Sequence, residues 1–577
     1  MTATFQERFK RIAALPDANS LLQLLSFLDS ESIQLDMISR ACKDLIATTD
    51  LQNTTTANYV GARKTNFVQK IFRPVPSPNN PERHVQKRDK LESSKNSGSL
   101  HIPGELLGVI LSPAQLQGAL HQLQDLSLVT LLDDVSPLEL RMHNLTKFMV
   151  QELTMNSGRQ VALFEAAAAI ICHAFGMVED RMSPRWWLAC ESIVPHIEAL
   201  TTWMISRKKA NRRIASTNVE VAGYFRSRGR YKDAERLYRQ ALGSPEEERN
   251  FTLNSTELIH VLCGLAGVLV KQGQYDEAEK LYQRALADKK RLSRDSDMES
   301  LLTAQGLIEV YDKQGRYRDA VDLGEIILEG IRAKASKRIP DLLQTMHNLG
   351  LAYGHQAQFD KAEEMFQYVM NESGKIFGSD HPDTLRTINA FANLYDRQNR
   401  YEEAAVLYMQ AMDGREKQFG PAHPQTLRSV CGLANLYLRT GLLEEAKVLY
   451  TRALRGSEIY FAVDNPDVLR AVHGIASALA CQDDLLEAER QFKRAIVGRT
   501  ALLGKDHADT LRSIEGLATV FDLSNQYDKA VELYHKVHVA RTRLLGAEHP
   551  ESLKVAQALA ILEDQRRKGN NGKITII

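Results

Sequence analysis

Four arginines stand at intervals of 42 residues, Arg386, Arg428, Arg470 and Arg512, inside the related strings HPDTLR, HPQTLR, NPDVLR and HADTLR. A guanidinium group is planar, permanently charged and forks two N–H donors at a carboxylate or phosphate, so a row of them suits a chain of acidic groups. A local use competes with that one. Asp383, Asp467 and Asp509 each precede an arginine by three residues, the spacing of a helix-surface pair that contributes roughly 0.2–0.5 kcal/mol. Gln425 interrupts this pairing at Arg428. Both readings stay open at the level of sequence.

The histidines of the same strings, His381, His423 and His507, with His549 in HPESLK, repeat at the same period. No second metal ligand stands near any of them, so neither zinc nor catalysis is expected there. Proline after such a residue, at the first helical position, loses no hydrogen bond and pre-sets φ, and these strings therefore read as helix starts. The six cysteines are scattered without a CxxC pair, the pattern of a reduced protein. The sequence contains no G-x-x-x-x-G-K-[ST], G-x-S-x-G or HExxH. A non-enzymatic protein without cofactor or metal is expected.

The arginines are set in a larger repeat. Ala278, Ala320, Ala362, Ala404, Ala446, Ala488 and Ala530 are 42 residues apart, and Ala234 precedes Ala278 by 44. These marker alanines define eight repeats over residues 206–566. Twelve residues before each marker is a small residue (Ala222, Ala266, Gly350, Ala392, Ala434, Ala476, Ala518), with Ile308 the exception. Nine before it is a large one, and four after it an aromatic residue in every repeat except at Gly324. Small side chains at two fixed places let paired helices approach closely. A period between 20 and 50 residues marks a solenoid, in which each unit buries its apolar face against its neighbours.

Composition limits the remainder. The chain has 577 residues, 44% hydrophobic and 25% charged, with a formal net charge of +1. That balance gives no global attraction to nucleic acid or anionic membrane. No apolar run reaches the roughly 18 residues of a spanning helix, and MTATFQERFKRIAALPDANS lacks a secretory apolar core. A cytoplasmic protein is expected.

Before the repeats, Leu21, Leu22, Leu24, Leu25 and Leu28 predict a helix buried on most sides. Ser30 offers an N-cap to a second helix. Residues 53–100 are rich in Pro, Ser, Asn and Lys, with nine basic against three acidic side chains. They are expected to form a disordered basic insertion. Leu128, Thr130 and Leu132, then Leu138, Leu140 and Met142, alternate about the turn-forming DDVSP and predict a β-hairpin. Residues 158–205 predict two apolar connecting helices, the second ending near Pro195, with Trp186 and Trp187 covering the end of the stack. A capping helix follows the last marker, and 567–577 reads as a flexible tail.

The small and large positions of the repeat resemble the tetratricopeptide repeat, and the 42-residue length is similar to the kinesin-light-chain type. That resemblance implies an all-α, α-α superhelix in which the place 18 before the marker lies on an inner helix facing a concave groove. The same holds for the places 15 and 11 before it. Arg386, Asn389, Asn393, Arg428, Asn435, Arg470, His473 and Arg512 are the peptide-groove residues so implied, with Cys431 among them. The implied function is a protein-interaction scaffold that binds a protein or peptide, an acidic one in the sharper reading. Arg428→Glu with Arg470→Glu is then expected to weaken such a peptide while sparing the fold.

The strings LLSFLDSESI and ALHQLQDLSLVTLL, with Met142-His143-Asn144-Leu145, resemble the winged-helix part of fungal NLR-like STAND proteins, in which a TPR array often follows. This implies a small winged-helix-like domain in two parts, 1–52 and 101–157, and a role in signalling or sensing. A kinesin-light-chain-like cargo adaptor is the alternative. The family's nucleotide-sensing histidine falls on His143. Asn144 departs from the family's aspartate, and with no phosphate loop in the sequence a structural role is expected for His143. The helix near 143–156 carries one lysine, Lys147, so DNA binding is not expected.

Overall fold

The computed structural model describes residues 2–58, 102–132, 139–154, 158–179, 181, 186–207, 211–242, 255–292, 297–333, 339–461 and 465–568. They divide into two compact units, Met1–Thr217 and Asn218–Ile577.

The N-terminal unit begins with α1 (Thr2–Ala13), α2 (Pro16–Leu25), β1 (Ile33–Gln34) and α3 (Leu35–Asn58). It continues with α4 (Gly104–Leu111), α5 (Pro113–Asp125), β2 (Val129–Leu132), β3 (Glu139–Met142), α6 (Asn144–Leu153), α7 (Gly158–Gly176) and α8 (Trp187–Ser206). The leucines of α2 are all buried, as their unbroken apolar run requires. The hairpin forms, and β1 adds a third antiparallel strand, giving the order β1-β3-β2. Its phase on β2 differs by one residue from the expected alternation: Val129 is buried and Thr130 exposed. Ser127 has a φ of +52°, and Leu128 bonds back to Leu123. Leu128 therefore closes the helix-to-strand turn, and the pleat starts one residue later.

Three further expectations change. Ser30 caps no helix; its hydroxyl donates to Asn144 Oδ1 at 2.6 Å and its carbonyl accepts from the Met142 N–H. Helix α3 extends to Asn58, and the rest of the segment expected to be disordered, 59–101, lies outside the described residues, as does the tail from 569. Helix α8 runs through Pro195 to Ser206. One missing N–H is tolerated there because Ile193, Val194, His196 and Ile197 are buried on both sides of it. Trp203 of α8 stacks on Phe164 of α7 at 4.1 Å and meets Phe27 edge-on at 5.3 Å, so the connecting helices share the core of this unit.

The second unit is a stack of helix pairs. Its inner helices are α9 (Arg212–Ser227), α11 (Ser255–Lys271), α13 (Asp297–Lys313), α15 (Ile339–His355), α17 (Pro382–Arg397), α19 (Pro424–Arg439), α21 (Pro466–Cys481) and α23 (Ala508–Leu523). Each is followed by an outer helix: α10 (Tyr231–Leu242), α12 (Tyr275–Leu292), α14 (Tyr317–Ala333), α16 (Phe359–Phe377), α18 (Tyr401–Phe419), α20 (Leu443–Tyr460), α22 (Leu485–Leu503) and α24 (Tyr527–Leu545). Helix α25 (Pro550–Lys568) closes the stack.

All eight marker alanines are 0% exposed, which is why nothing larger recurs there. The aromatic residues Tyr238, Tyr282, Tyr408, Tyr450 and Phe492, four beyond their markers, each cross into the next repeat and lie on a glycine of its inner helix. A Cβ on Gly474 would come within 2.2 Å of Tyr450, and Gly432 and Gly516 face Tyr408 and Phe492 in the same way. Where Gly324 replaces the aromatic residue, the next repeat carries Asn348 in place of that glycine. Each buried aromatic contributes on the order of 1.5–3 kcal/mol, so stability is distributed along the array.

Neighbouring repeats are also joined by polar side chains. Successive inner helices are linked by hydrogen bonds: Gln305 donates to Thr345, Asn389 accepts from Ser429 at 3.0 Å, and His347 meets Thr387 at 3.1 Å. Successive outer helices are linked by ion pairs, Arg239–Glu277 at 2.9 Å and Arg452–Glu416 at 2.8 Å. The array is also curved into a superhelix, as contacts between its ends show.

The bend brings the first repeats against the last. Gly229, Gly273 and Gly315 occupy the turns of repeats 1 to 3 with φ of +72°, +77° and +75°, and a Cβ there would lie 2.9, 2.9 and 2.7 Å from Asn465, His507 and His549. Asn465 also donates to the Arg228 carbonyl at 2.8 Å, and Tyr317 meets His549 at 3.3 Å. At the same place in later turns stand Ala357, Asn399, Asp483 and Asn525, or Gly441 with nothing within 4 Å. Glycine is kept in the turns of repeats 1 to 3, where another turn of the superhelix presses on them.

Candidate functional site

The HPDTLR string can be read atom by atom. His381, His423, Asn465 and His507 are the N-caps of α17, α19, α21 and α23, each accepting the N–H two residues on, and Phe377 and Phe419 stack on the first two rings. Capping by a neutral imidazole Nδ1 explains the histidines, a role the sequence reading missed. The threonine hydroxyls of Thr384, Thr426 and Thr510 donate to the carbonyls of Gly378, Gly420 and Gly504, closing the loop between repeats. The leucines Leu385, Leu427 and Leu469 sit over Gly414, Gly456 and Gly498 of the outer helix. Only the arginine has its head group left on the concave face.

The four arginines are partly exposed, with side chains at 42% for Arg386, 54% for Arg428, 42% for Arg470 and 62% for Arg512. The three local pairs form: Asp383–Arg386 at 3.5 Å, Asp467–Arg470 at 2.6 Å and Asp509–Arg512 at 3.1 Å. Arg386 also donates to Gln344 of the preceding repeat. Arg428, which lacks a local aspartate, reaches Asp467 of the next repeat instead. Burial pushes the carboxyls of Asp467 and Asp509 up, but the surrounding guanidinium groups outweigh it and hold both below the usual range, Asp509 at about 2. An acidic ligand would therefore compete with charges already neutralised in part.

The amides and the histidine expected in the groove are turned to internal work. Asn389 accepts from Ser429, Asn393 from Tyr408 at 2.6 Å, and Asn435 from Tyr450. His473 meets Ser513 at 3.3 Å and the Phe492 ring at 5.3 Å, and burial keeps it neutral. Burial drives the Cys431 thiol up to about 12, which makes it an inert core residue. The sequence reading also missed Arg415 and Arg499, buried arginines of the outer helices. They donate to Ser429 and Ser513 and to the Gln425 and Asp509 carbonyls, tying each outer helix to the next inner one.

In the N-terminal unit, His143 caps α6 by accepting the Leu145 N–H at 3.1 Å. Lys147 is engaged with the Leu28 carbonyl. Among the described residues no group of three His, Cys, Asp or Glu is placed to hold a metal, and no helix is long and apolar enough to cross a membrane.

Tetratricopeptide-repeat family models match residues 257–333, 341–417 and 467–538, and a further one matches 222–250. The second unit is thus an array of tetratricopeptide repeats. Solved structures similar to this chain include a kinesin light chain candidate from Podosopora anserina with nearly identical TPR-like repeats. It is 24% identical over 35% of this chain and 95% of that one, with a TM-score of 0.30. BtubC (BKLC) from P. vanneervenii is 19% identical over 39% of this chain and 90% of that one, TM-score 0.33. A Rap protein complexed with Competence and Sporulation Factor is 11% identical over 62% of this chain and 99% of that one, TM-score 0.39. No curated protein matches the chain.

Proposed function

We propose that this chain is a non-enzymatic interaction scaffold whose concave face binds an extended acidic segment of a partner protein along Arg386, Arg428, Arg470 and Arg512. The observation that carries this reading is the row of four guanidinium groups, each partly open to solvent. Arg386 and Arg512 can exchange an exposed aspartate partner for a carboxylate on the ligand, whereas Arg428 and Arg470 keep the buried Asp467 and would offer their remaining N–H donors, so that successive guanidinium groups read carboxylates along an extended chain. Arg512 is the most exposed and holds only its local aspartate, so it is the first point of engagement. The test is titration of the full chain with a fluorescent oligo-glutamate peptide. Affinity should fall with rising salt and with Arg512→Glu; salt-independent binding, or none, rejects the acidic ligand.

The N-terminal unit is read as winged-helix-like, which the strand order β1-β3-β2, with α5 packed against β2, supports. With that reading the protein is placed among NLR-like sensors, with a kinesin-light-chain-like adaptor as the alternative. Helix α5 carries no lysine or arginine, which favours a protein-binding over a DNA-binding use.

A further inference from the structure

The concave face of the first four repeats holds a cavity of about 340 Å³, at the small end of the range for ligand sites. It meets the arginine row only at Gln344, the residue that accepts from Arg386. One position sets it apart from the rest of the array. In later repeats the tyrosine four beyond the marker is held by the residue eleven before it: Tyr408 by Asn393, Tyr450 by Asn435, Tyr534 by Thr519. In the first two repeats that residue is Gly223 or Gly267. The rings of Tyr238 and Tyr282 are buried, but among the described residues neither hydroxyl has a hydrogen-bond partner, and both tyrosines line the cavity.

Arg226 enters the same space. A Cβ on Gly267 would lie 3.4 Å from Arg226 Nη1 and 3.7 Å from the Tyr282 hydroxyl, so both donors converge on the face that the missing side chain leaves open. Among the described residues Arg226 makes neither an ion pair nor a hydrogen bond. A forked cation and two phenol donors around one cavity are the complement of an anion.

Charge selects which anion. Burial and the neighbouring Arg226 lower the pKa of His260 and keep its ring neutral. Burial pushes up the carboxyl of Glu309, which also lines the cavity, but Lys271, 2.8 Å away, outweighs it and keeps the group ionised. A dianionic phosphate would face one unpaired cation and a carboxylate, whereas a monoanion matches Arg226 alone. Glu309 and the Asn348 side chain supply acceptors and a donor for the other end of the ligand.

We propose that this cavity binds a monocarboxylate about the size of one or two amino-acid residues. Arg226 and the hydroxyls of Tyr238 and Tyr282 hold the carboxylate, and Glu309 accepts N–H groups. The carboxylate belongs either to a free small molecule or to the C-terminal residue of a polypeptide. The site does not depend on the acidic-segment reading.

The test uses the full chain, saturation-transfer NMR and five probes. These are N-acetylglycine, N-acetylglycinamide, a hexapeptide of alternating glycine and alanine as free acid and as amide, and inorganic phosphate, which has no observable proton and is scored by how far it displaces the free-acid hexapeptide. The free-acid hexapeptide should bind and the two amides should not, with phosphate weaker; Arg226→Gln and Tyr282→Phe should each weaken binding about tenfold. N-acetylglycine binding as well as the hexapeptide assigns a free small molecule as sufficient, and hexapeptide binding alone assigns a chain end. Tyr282→Phe should leave Tm unchanged, because its hydroxyl has no hydrogen-bond partner among the described residues, whereas Tyr408→Phe should lower it. Amides binding as well as acids, phosphate binding more tightly, no probe binding, or an unaltered affinity in Arg226→Gln overturns the proposal. Arg512→Glu should not affect these probes, so failure here is distinct from failure of the acidic-segment reading.

Discussion

Arg428 crosses a repeat boundary to Asp467, with Nε and Nη2 each 3.2 Å from a carboxylate oxygen, and Asp467 accepts Arg470 on the same carboxylate at 2.6 Å. The Asp467 side chain is only 9% exposed. Gln425, which removes the local partner of Arg428, thus frees that arginine to join two repeats.

This relationship changes what a charge reversal would do. On the groove reading Arg428→Glu with Arg470→Glu spares the fold, but the double variant leaves Asp467 buried without a cation. Stripping a buried carboxylate of its partners costs about 3–5 kcal/mol, so the double variant should lower Tm markedly by calorimetry. Arg512→Glu, at an exposed local pair, should change stability by no more than about 0.5 kcal/mol while weakening oligo-glutamate binding.

Acid should loosen the last repeats. Asp467 and Asp509 have folded pKa values below the unfolded value of about 3.9, and Asp509 lies at about 2. Their stabilisation is complete above the unfolded value and disappears as pH falls through the folded one. Stability measured by urea unfolding should therefore drop between about pH 4 and pH 2, and Asp509→Asn should flatten that slope.

Contact between superhelical turns can be separated from backbone strain. Gly441 and Gly315 both have φ near +80°, but only Gly315 has another residue, His549, against its face. Gly441→Ala should cost about 1 kcal/mol for the left-handed conformation. Gly315→Ala should cost more and increase the radius of gyration in small-angle scattering; equal costs and equal radii would show that the contact is dispensable.

Asp522 is the opposite case to Asp509. Its place in an earlier repeat is Asp396, which receives Arg439 at 2.8 Å, but among the described residues Asp522 Oδ1 has no partner. Burial raises its pKa to about 6. A carboxyl whose folded pKa exceeds its unfolded one is favourable when protonated, and that benefit is lost as pH rises from about 4 to 6. Asp522→Asn should stabilise the protein by roughly 1–3 kcal/mol at pH 7 and by little at pH 4, as urea unfolding would show.

Much of the repeat was readable because its contacts are local or recur at one fixed offset. The marker alanines, the helix starts at Pro382, Pro424 and Pro466, and the pairs Asp383–Arg386 and Asp509–Arg512 all lie where their spacing puts them. The capping histidines were recognised as helix starts but not as acceptors, since a histidine side chain seldom takes the place of serine or aspartate. The groove positions were assigned by repeat geometry, which does not reveal that Asn393 and Asn435 hold tyrosines across the same repeat.

The sequence by itself determined the helices, their pairing and the period of the stack, because these depend on contacts within a turn or between adjacent repeats. Tertiary structure alone decided that Asp467 serves two arginines, that the Tyr282 hydroxyl has no partner among the described residues, and that Asn465 caps a helix while bonding to Arg228, 237 residues away. Those outcomes depend on the angle between repeats summed around a superhelical turn. A small angle repeated several times sets whether distant residues meet, and no local spacing encodes that sum.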